Sequence, residues 1–149
     1  MTIETSISAA ADRCFDAARD MDLHVRSVAH TNERVVAGRS SGLIGLGETV
    51  TFRARHFGIV QSFTSKITEF HRPTYFQDRM TKGSFRSFVH DHRFVESLGQ
   101  TTMTDTVEFR SPLGLLGRLV DKLVLTQYLG RLLRSRATTI KSAAESIGA

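Results

Sequence analysis

Three histidines and several carboxylates fall at alternating positions among large apolar residues, and there the chain could do chemistry. His90 and His92 lie between Phe88 and Phe94, Asp78 between Phe76 and Met80, and Asp105 between Met103 and Val107. Glu48 and His56 share the parity of Val50 and Phe52. On a strand, residues two apart share a face, so all of these groups are expected on the apolar side of a sheet. Left unpaired there, they would cost several kcal/mol, so they must meet each other, water, a ligand or a metal.

A His-x-His pair on a strand sets two imidazoles on one face ~6–7 Å apart at Cα, from a rise of ~3.3 Å per residue. With Asp78 or Asp105 across the sheet, this becomes a two-His-one-carboxylate arrangement. The same groups suit acid/base work: His90 or His92 as general base, oriented by Asp78 or Asp105, could deprotonate an activated carbon and hold the enolate. The commoner outcome is structural, with His–Asp hydrogen bonds that fix register and give a pocket its polar floor. Two ligands on one strand, with no third in a fixed motif, signal a metal only weakly. Neither a metal nor another cofactor is therefore expected.

Other motifs fare worse. Gly42-x-x-Gly45-x-Gly47 lacks a following Gly-Lys-Ser/Thr, and a strand rather than a helix comes next, so it reads as a permissive β-loop and not a phosphate cradle. Leu43, Ile44 and Leu46 make that loop apolar, able to close a pocket, pack on a helix or touch a membrane. Tyr75 and Tyr128 form no recognisable nucleophile arrangement. Cys14, the single cysteine, reads as an inert thiol on a buried helix face.

The elements that must position these groups follow from hydrophobic period. Ile3 to Ile7 reads as a first strand. Ser8 is the expected N-cap of a helix from Ala9 to Arg19, and a second short helix spans Met21 to Val28. From Glu33 to Arg110 the period is two. Strands are expected over Val35–Gly38, Glu48–Phe57, Ile59–Phe70, Thr74–Met80, Phe85–Glu96 and Thr101–Arg110. Turns fall at Phe57-Gly58, Pro73, Lys82-Gly83 and Leu98-Gly99. A one-residue bulge between Phe85 and Phe88 would turn His90 and His92 outward. After Pro112 the steps become three and four, predicting one helix from about Leu115 to Ile147, roughly 50 Å long at 1.5 Å per residue.

The chain has 149 residues, 40% hydrophobic and 23% charged, with 2 prolines. These values fit one unit over 1–149 and exclude a disordered tail or a collagen-like fibre. No apolar run reaches the ~18–20 residues of a membrane-spanning helix. No secretory signal is visible, so a cytoplasmic protein is expected. The net charge of +5 admits nucleic acid or an anionic membrane as partner. Arg53, Arg55 and Lys66 lie on the polar strand face, however. Arg118, Lys122, Arg131, Arg134, Arg136 and Lys141 lie largely opposite the leucines of the last helix. The phenylalanines share the apolar face instead of interleaving with basic groups for stacking, which argues against nucleic acid.

This order is α+β: a strand, two short helices, a run of antiparallel strands and one long C-terminal helix. It resembles the helix-grip fold of the START, polyketide cyclase and coenzyme Q-binding superfamily. Residues 41–48 and 51–58, then Pro73–Met80 and His90–Phe94, are similar to its uncharacterised bacterial ligand-binding branch. The resemblance implies a curved antiparallel sheet wrapped around the long helix and an internal cavity; it implies no one activity. A small hydrophobic ligand such as a lipid, quinone or polyketide is expected there, bound without catalysis. Phe52, Phe63, Phe76, Phe88, Phe94, Met103 and Leu123 would line the cavity, and His56, Asp78, His90, His92 and Asp105 would supply polar contacts. The rival reading is a cyclase or hydratase working through the His–Asp groups. A weak contact with anionic membrane and a homodimer are the further partners left open.

Overall fold

The computed structural model describes residues 1–111 and 121–146. β1 (Thr2–Ile7) leads into α1 (Ala11–Ala18) and α2 (Met21–Ser27), followed by a 3₁₀ turn at Ala29–Thr31. Then come β2 (Arg34–Gly38), β3 (Thr49–His56), β4 (Ile59–His71), β5 (Tyr75–Lys82), β6 (Ser87–Ser97) and β7 (Gln100–Arg110). A π-helical turn at Asp121–Leu125 opens the C-terminal helix α3 (Thr126–Ser146). The earlier and final parts of the predicted helix, with Leu116, Arg118, Leu119, Val120 and Ile147, lie outside the described residues.

The strands form one antiparallel sheet in the order β1-β7-β6-β5-β4-β3-β2. Consecutive strands from β2 to β7 pair as hairpins, and β1 closes the far edge on β7. At Phe57-Gly58 both φ angles are positive (52° and 76°), as they are at Leu98-Gly99 (51° and 76°). Two such residues in succession make the turn whose twist matches a two-residue hairpin. The bulge weighed at Phe85–Phe88 does not form: β6 pairs with β7 without a break from Ser87 to Ser97. Irregularities fall instead in β4, between Thr64 and Ser65 and between Ile67 and Glu69, and in β2. Gly38 ends β2 at φ +79°, and a Cβ there would lie 2.1 Å from the Thr49 carbonyl oxygen. Only glycine fits that close approach.

Three expectations are corrected. Ser8 does not cap α1; Ala10 stands at its N-cap, and Glu96 of β6 accepts from the Ala11 amide at 2.8 Å. The cap thus comes from across the fold. α2 is capped locally by Asp20, which accepts from the amides of Asp22 and Leu23. Glu48 lies before β3, not on its apolar face: it accepts from the Gly45 amide and pairs with Arg39. Arg136 and Lys141 are not turned away from the fold: Arg136 donates to the Ala18 carbonyl at the end of α1, at 2.6 Å, and Lys141 to the Ser6 carbonyl of β1, at 2.7 Å.

The core gathers where α1 and α3 press on the sheet. Phe15 is fully buried, with edge-to-face contacts to Phe70, Phe76 and Phe94 at 5.2, 5.3 and 5.4 Å between ring centroids. Along α3 the buried positions are Gly130, Ala137, Ile140 and Ala144. Ala137 and Ala144 let the later turns of the helix lie close to β1, α1 and α2, while Ile140 is buried in the core between them. Because Glu96 satisfies an amide that α1 cannot satisfy internally, Glu96→Ala is expected to lower stability by about 1 kcal/mol. Thermal unfolding should show this as a Tm lower by roughly 2–4 °C, and Glu96→Gln should recover part of it.

Candidate functional site

Alternation brings Asp78, His90, His92 and Asp105 to one face of three adjacent strands. Cross-strand register then sets them against one another: Asp78 of β5 stands opposite His90 of β6, and His92 opposite Asp105 of β7. Hydrogen bonds run along the diagonals of this square. His90 Nε2 donates to Asp105 Oδ1 at 3.0 Å, and His92 Nε2 donates to Asp78 Oδ2 at 3.1 Å. The imidazole centroids are 3.8 Å apart, and His92 stacks on Phe76 at 4.1 Å. Ser65 of β4 donates to the other Asp78 oxygen, Oδ1, at 2.8 Å.

The remaining imidazole nitrogens are less well served. His90 Nδ1 lies 3.8 Å from Asp78 Oδ2, beyond hydrogen-bond reach. His92 Nδ1 approaches Asp105 Oδ1 to 2.7 Å, but off the line an N–H would need, so this fully buried atom makes no hydrogen bond.

Burial opposes the charged form of each acid. At Asp78 the hydrogen bond from His92, the charges of both imidazoles and the Ser65 hydroxyl outweigh it, holding the carboxyl well below its usual range. At Asp105 the bonds and charges of His90 and His92 likewise outweigh burial and hold it low. Burial, reinforced by His92, lowers the His90 pKa from 6.5 to about 4 against the pull of both carboxylates.

The cluster forms part of the wall of a cavity of about 400 Å³. Val50, Phe52, Ala54, Phe63 and Ile67 line it from β3 and β4, with Phe76 and Phe88 from β5 and β6. Leu125, Leu129, Leu132 and Leu133 close it from the C-terminal helical segment. Of the cluster, Asp78 and His90 face this space; His92 and Asp105 are not in its wall and stand behind them. Phe94 and Met103 are likewise outside the lining, at 2% and 0% exposure in the core. Leu123 is 56% exposed and also outside it. His56 does line the cavity, away from the four-residue cluster. The Tyr128 hydroxyl, kept protonated by burial, hydrogen-bonds its Nδ1 at 2.7 Å.

Some lining groups were not singled out from the sequence. Ser65 shares the parity of Phe63 and Ile67, which could have placed it inside. Tyr128 stands one helical turn before Leu132, another usable signal. The His24–Glu33 pair, 2.7 Å apart, and Arg136 have no comparable local signature, because they arrive from separate elements. The glycine loop meets the cavity through Ile44, 4% exposed, while Leu43 and Leu46 face outward at 39% and 62%. It is tied to the α1–α2 junction by Met21 N to Gly42 O and Ile44 N to Arg19 O, at 3.0 and 3.1 Å.

These shifts carry a sign. Unfolded, His90 takes up its proton near 6.5; folded, only near 4. Between those values the unfolded chain holds more protons, so acidification lowers stability. His56, lowered by burial, adds to this slope. The stabilising effect of ionised Asp78 and Asp105 is present above their unfolded pKa values and is lost as pH falls through the folded ones. Urea denaturation should show stability falling from pH 7 to pH 5, and folded His90→Gln should show a shallower fall.

The chain matches the family model for polyketide cyclase / dehydrase and lipid transport over residues 1–145. No curated protein sequence matches it. Its fold is similar to that of TTHA0849 from Thermus thermophilus, with TM-score 0.74 and 18% identity over 97% of this chain and 98% of that one. A START superfamily protein from Mycobacterium smegmatis aligns with TM-score 0.71 and 12% identity, over 95% and 97% of the two chains. Ginseng major latex-like protein 151 from Panax ginseng gives 0.68 and 14%, over 97% and 95%. With the antiparallel sheet, the C-terminal helix and the cavity between them, these matches make the chain a member of the polyketide cyclase / dehydrase and lipid transport family, with the START-like helix-grip fold.

Proposed function

We propose that this chain, acting as one unit, binds a small hydrophobic molecule with one or two oxygen functions and carries it without covalent change. A lipid, quinone or polyketide-like compound meets that description. The observation that carries the reading is a cavity of about 400 Å³, lined chiefly by aliphatic and aromatic side chains, with Asp78 and His90 together on one wall. That size and balance are those of a small-molecule site: apolar surface gives affinity, and a few convergent polar groups fix orientation. Fluorescence titration with a fluorescent fatty acid should show saturable one-to-one binding. Ala54→Trp, which puts an indole into the space, should weaken it by about tenfold, or 1.4 kcal/mol. Unchanged affinity in a folded Ala54→Trp variant would put the ligand elsewhere.

One observation favours a second reading, a cyclase- or hydratase-type enzyme. His90 faces the cavity while Asp105 fixes it from behind, the arrangement of an oriented general base. His90→Gln separates the two: a carrier loses one orienting polar contact but retains much of its affinity for the apolar ligand, whereas an enzyme loses turnover by ~10²–10⁴.

The proposal places the protein in the cytoplasm, where its single buried thiol would stay reduced. No helix among the described residues is long and apolar enough to cross a membrane. A weak contact with anionic membrane through Leu43 and Leu46 would bring the cavity near a lipid source. Flotation with anionic vesicles should recover part of the protein, and less of Leu46→Ser; no flotation would remove this element. Self-association as a homodimer is the other partner proposed, and light scattering at monomer mass would dismiss it.

A further inference from the structure

The square of Asp78, His90, His92 and Asp105 is incompletely explained by hydrogen bonds among its members. Each imidazole donates along one diagonal, so the second nitrogen of each, if unprotonated, turns a lone pair toward a carboxylate oxygen. These approaches are 3.8 Å for His90 Nδ1 to Asp78 Oδ2 and 2.7 Å for His92 Nδ1 to Asp105 Oδ1. His92 Nδ1 is buried without a hydrogen-bond partner. Lone pairs facing carboxylates in an apolar wall are unfavourable unless a positive charge lies between them.

A cation resolves the arrangement at one point. One donor atom each from Asp78, His90 and His92 can be chosen so that all lie within 4.8 Å of one another. Asp78 Oδ2 is 3.1 Å from His92 Nε2 and 3.8 Å from His90 Nδ1. Donors around a tetrahedral ion with bonds of ~2.0–2.1 Å are about 3.3 Å apart, a spacing between these two separations. We propose that Asp78 Oδ2, His90 Nδ1 and His92 Nε2 bind a divalent transition-metal ion such as Zn²⁺, Co²⁺ or Fe²⁺, with a further coordination position open to the cavity.

The surroundings fit this assignment. With the ion on Nε2, the His92 proton moves to Nδ1, the nitrogen already beside Asp105 Oδ1, and a slight ring rotation completes the bond. His90 Nε2 donates to that same oxygen. Asp105 thereby orients both ligand histidines from behind, the usual outer partner of a metal-bound imidazole. Ser65 holds Asp78 Oδ1 and leaves Oδ2 for the ion. Asp78 and His90 face the cavity, so the open position would meet an oxygen of whatever enters it. The metal site does not depend on the hydrophobic-ligand reading, whose test uses no metal.

The experiment is a Co²⁺ titration of the full chain after chelator treatment, read by visible absorption and calorimetry, with Zn²⁺ as competitor. One equivalent should bind, with the intense bands of a four- or five-coordinate site that Zn²⁺ abolishes. Asp105→Asn should weaken affinity by about 10–100-fold and Asp78→Asn by more. His30→Gln and His71→Gln, outside the cluster, should leave it unchanged. If Asp78→Asn does not fold, His90→Gln serves as the ligand variant. Absence of stoichiometric binding by the folded wild type would overturn the proposal. So would undiminished affinity in a folded ligand variant, which would place the ion elsewhere, or a spectrum of six-coordinate hydrated Co²⁺.

Discussion

Two carboxylates and two imidazoles buried side by side on three strands are the constraint from which much else follows. Removing such groups from water is costly, and only close mutual pairing offsets the cost. Pairing requires that β5, β6 and β7 keep one register, because a slip of a single residue would send every member to the opposite face. The uninterrupted β6–β7 ladder meets that requirement, and the irregularities are pushed outward into β4 and β2. Ser65 lies beside one of those irregularities, yet its hydroxyl reaches Asp78. The polar cluster and the strand geometry are one problem with one solution.

Around that cluster the two halves of the C-terminal segment do different work. Its earlier part supplies Leu125, Leu129, Leu132 and Leu133 to the cavity; its later part buries Ala137, Ile140 and Ala144 against β1 and the short helices. Leucines face the open space at one end; at the other, Ala137 and Ala144 lie against the neighbouring elements and Ile140 is buried in the core. Phe15 and its ring of Phe70, Phe76 and Phe94 complete the solid end, and Phe76 belongs to both regions, stacking on His92 while it lines the open space.

Much of the fold was legible because strand alternation and hairpin turns are local signals. Phe57-Gly58 and Leu98-Gly99 marked their turns, and the parity of Asp78, His90, His92 and Asp105 put them on one face before any pairing was known. Parity does not say which member reaches the cavity. His90 and His92 have the same parity and chemistry, yet one faces the space and the other lies behind Phe76, a distinction set by sheet curvature. The same limit explains Phe94, Met103 and Leu123, whose apolar character says that they prefer burial but not beside what. The Glu96 cap and the inward turn of Arg136 were invisible for a related reason: each partner lies more than eighty residues away in sequence. Glu48 was misplaced because strand period continues by inspection past the point where the glycine loop ends it.

The central claim is that the space between sheet and helix holds an apolar molecule oriented by Asp78 and His90. Native mass spectrometry of the protein after exposure to a cellular lipid and quinone extract, with denatured mass on the same sample, tests it most directly. The account expects an added organic mass on the folded protein that disappears on denaturation and is diminished in Ala54→Trp. A bare mass in both spectra of the wild type, after that exposure, would contradict it.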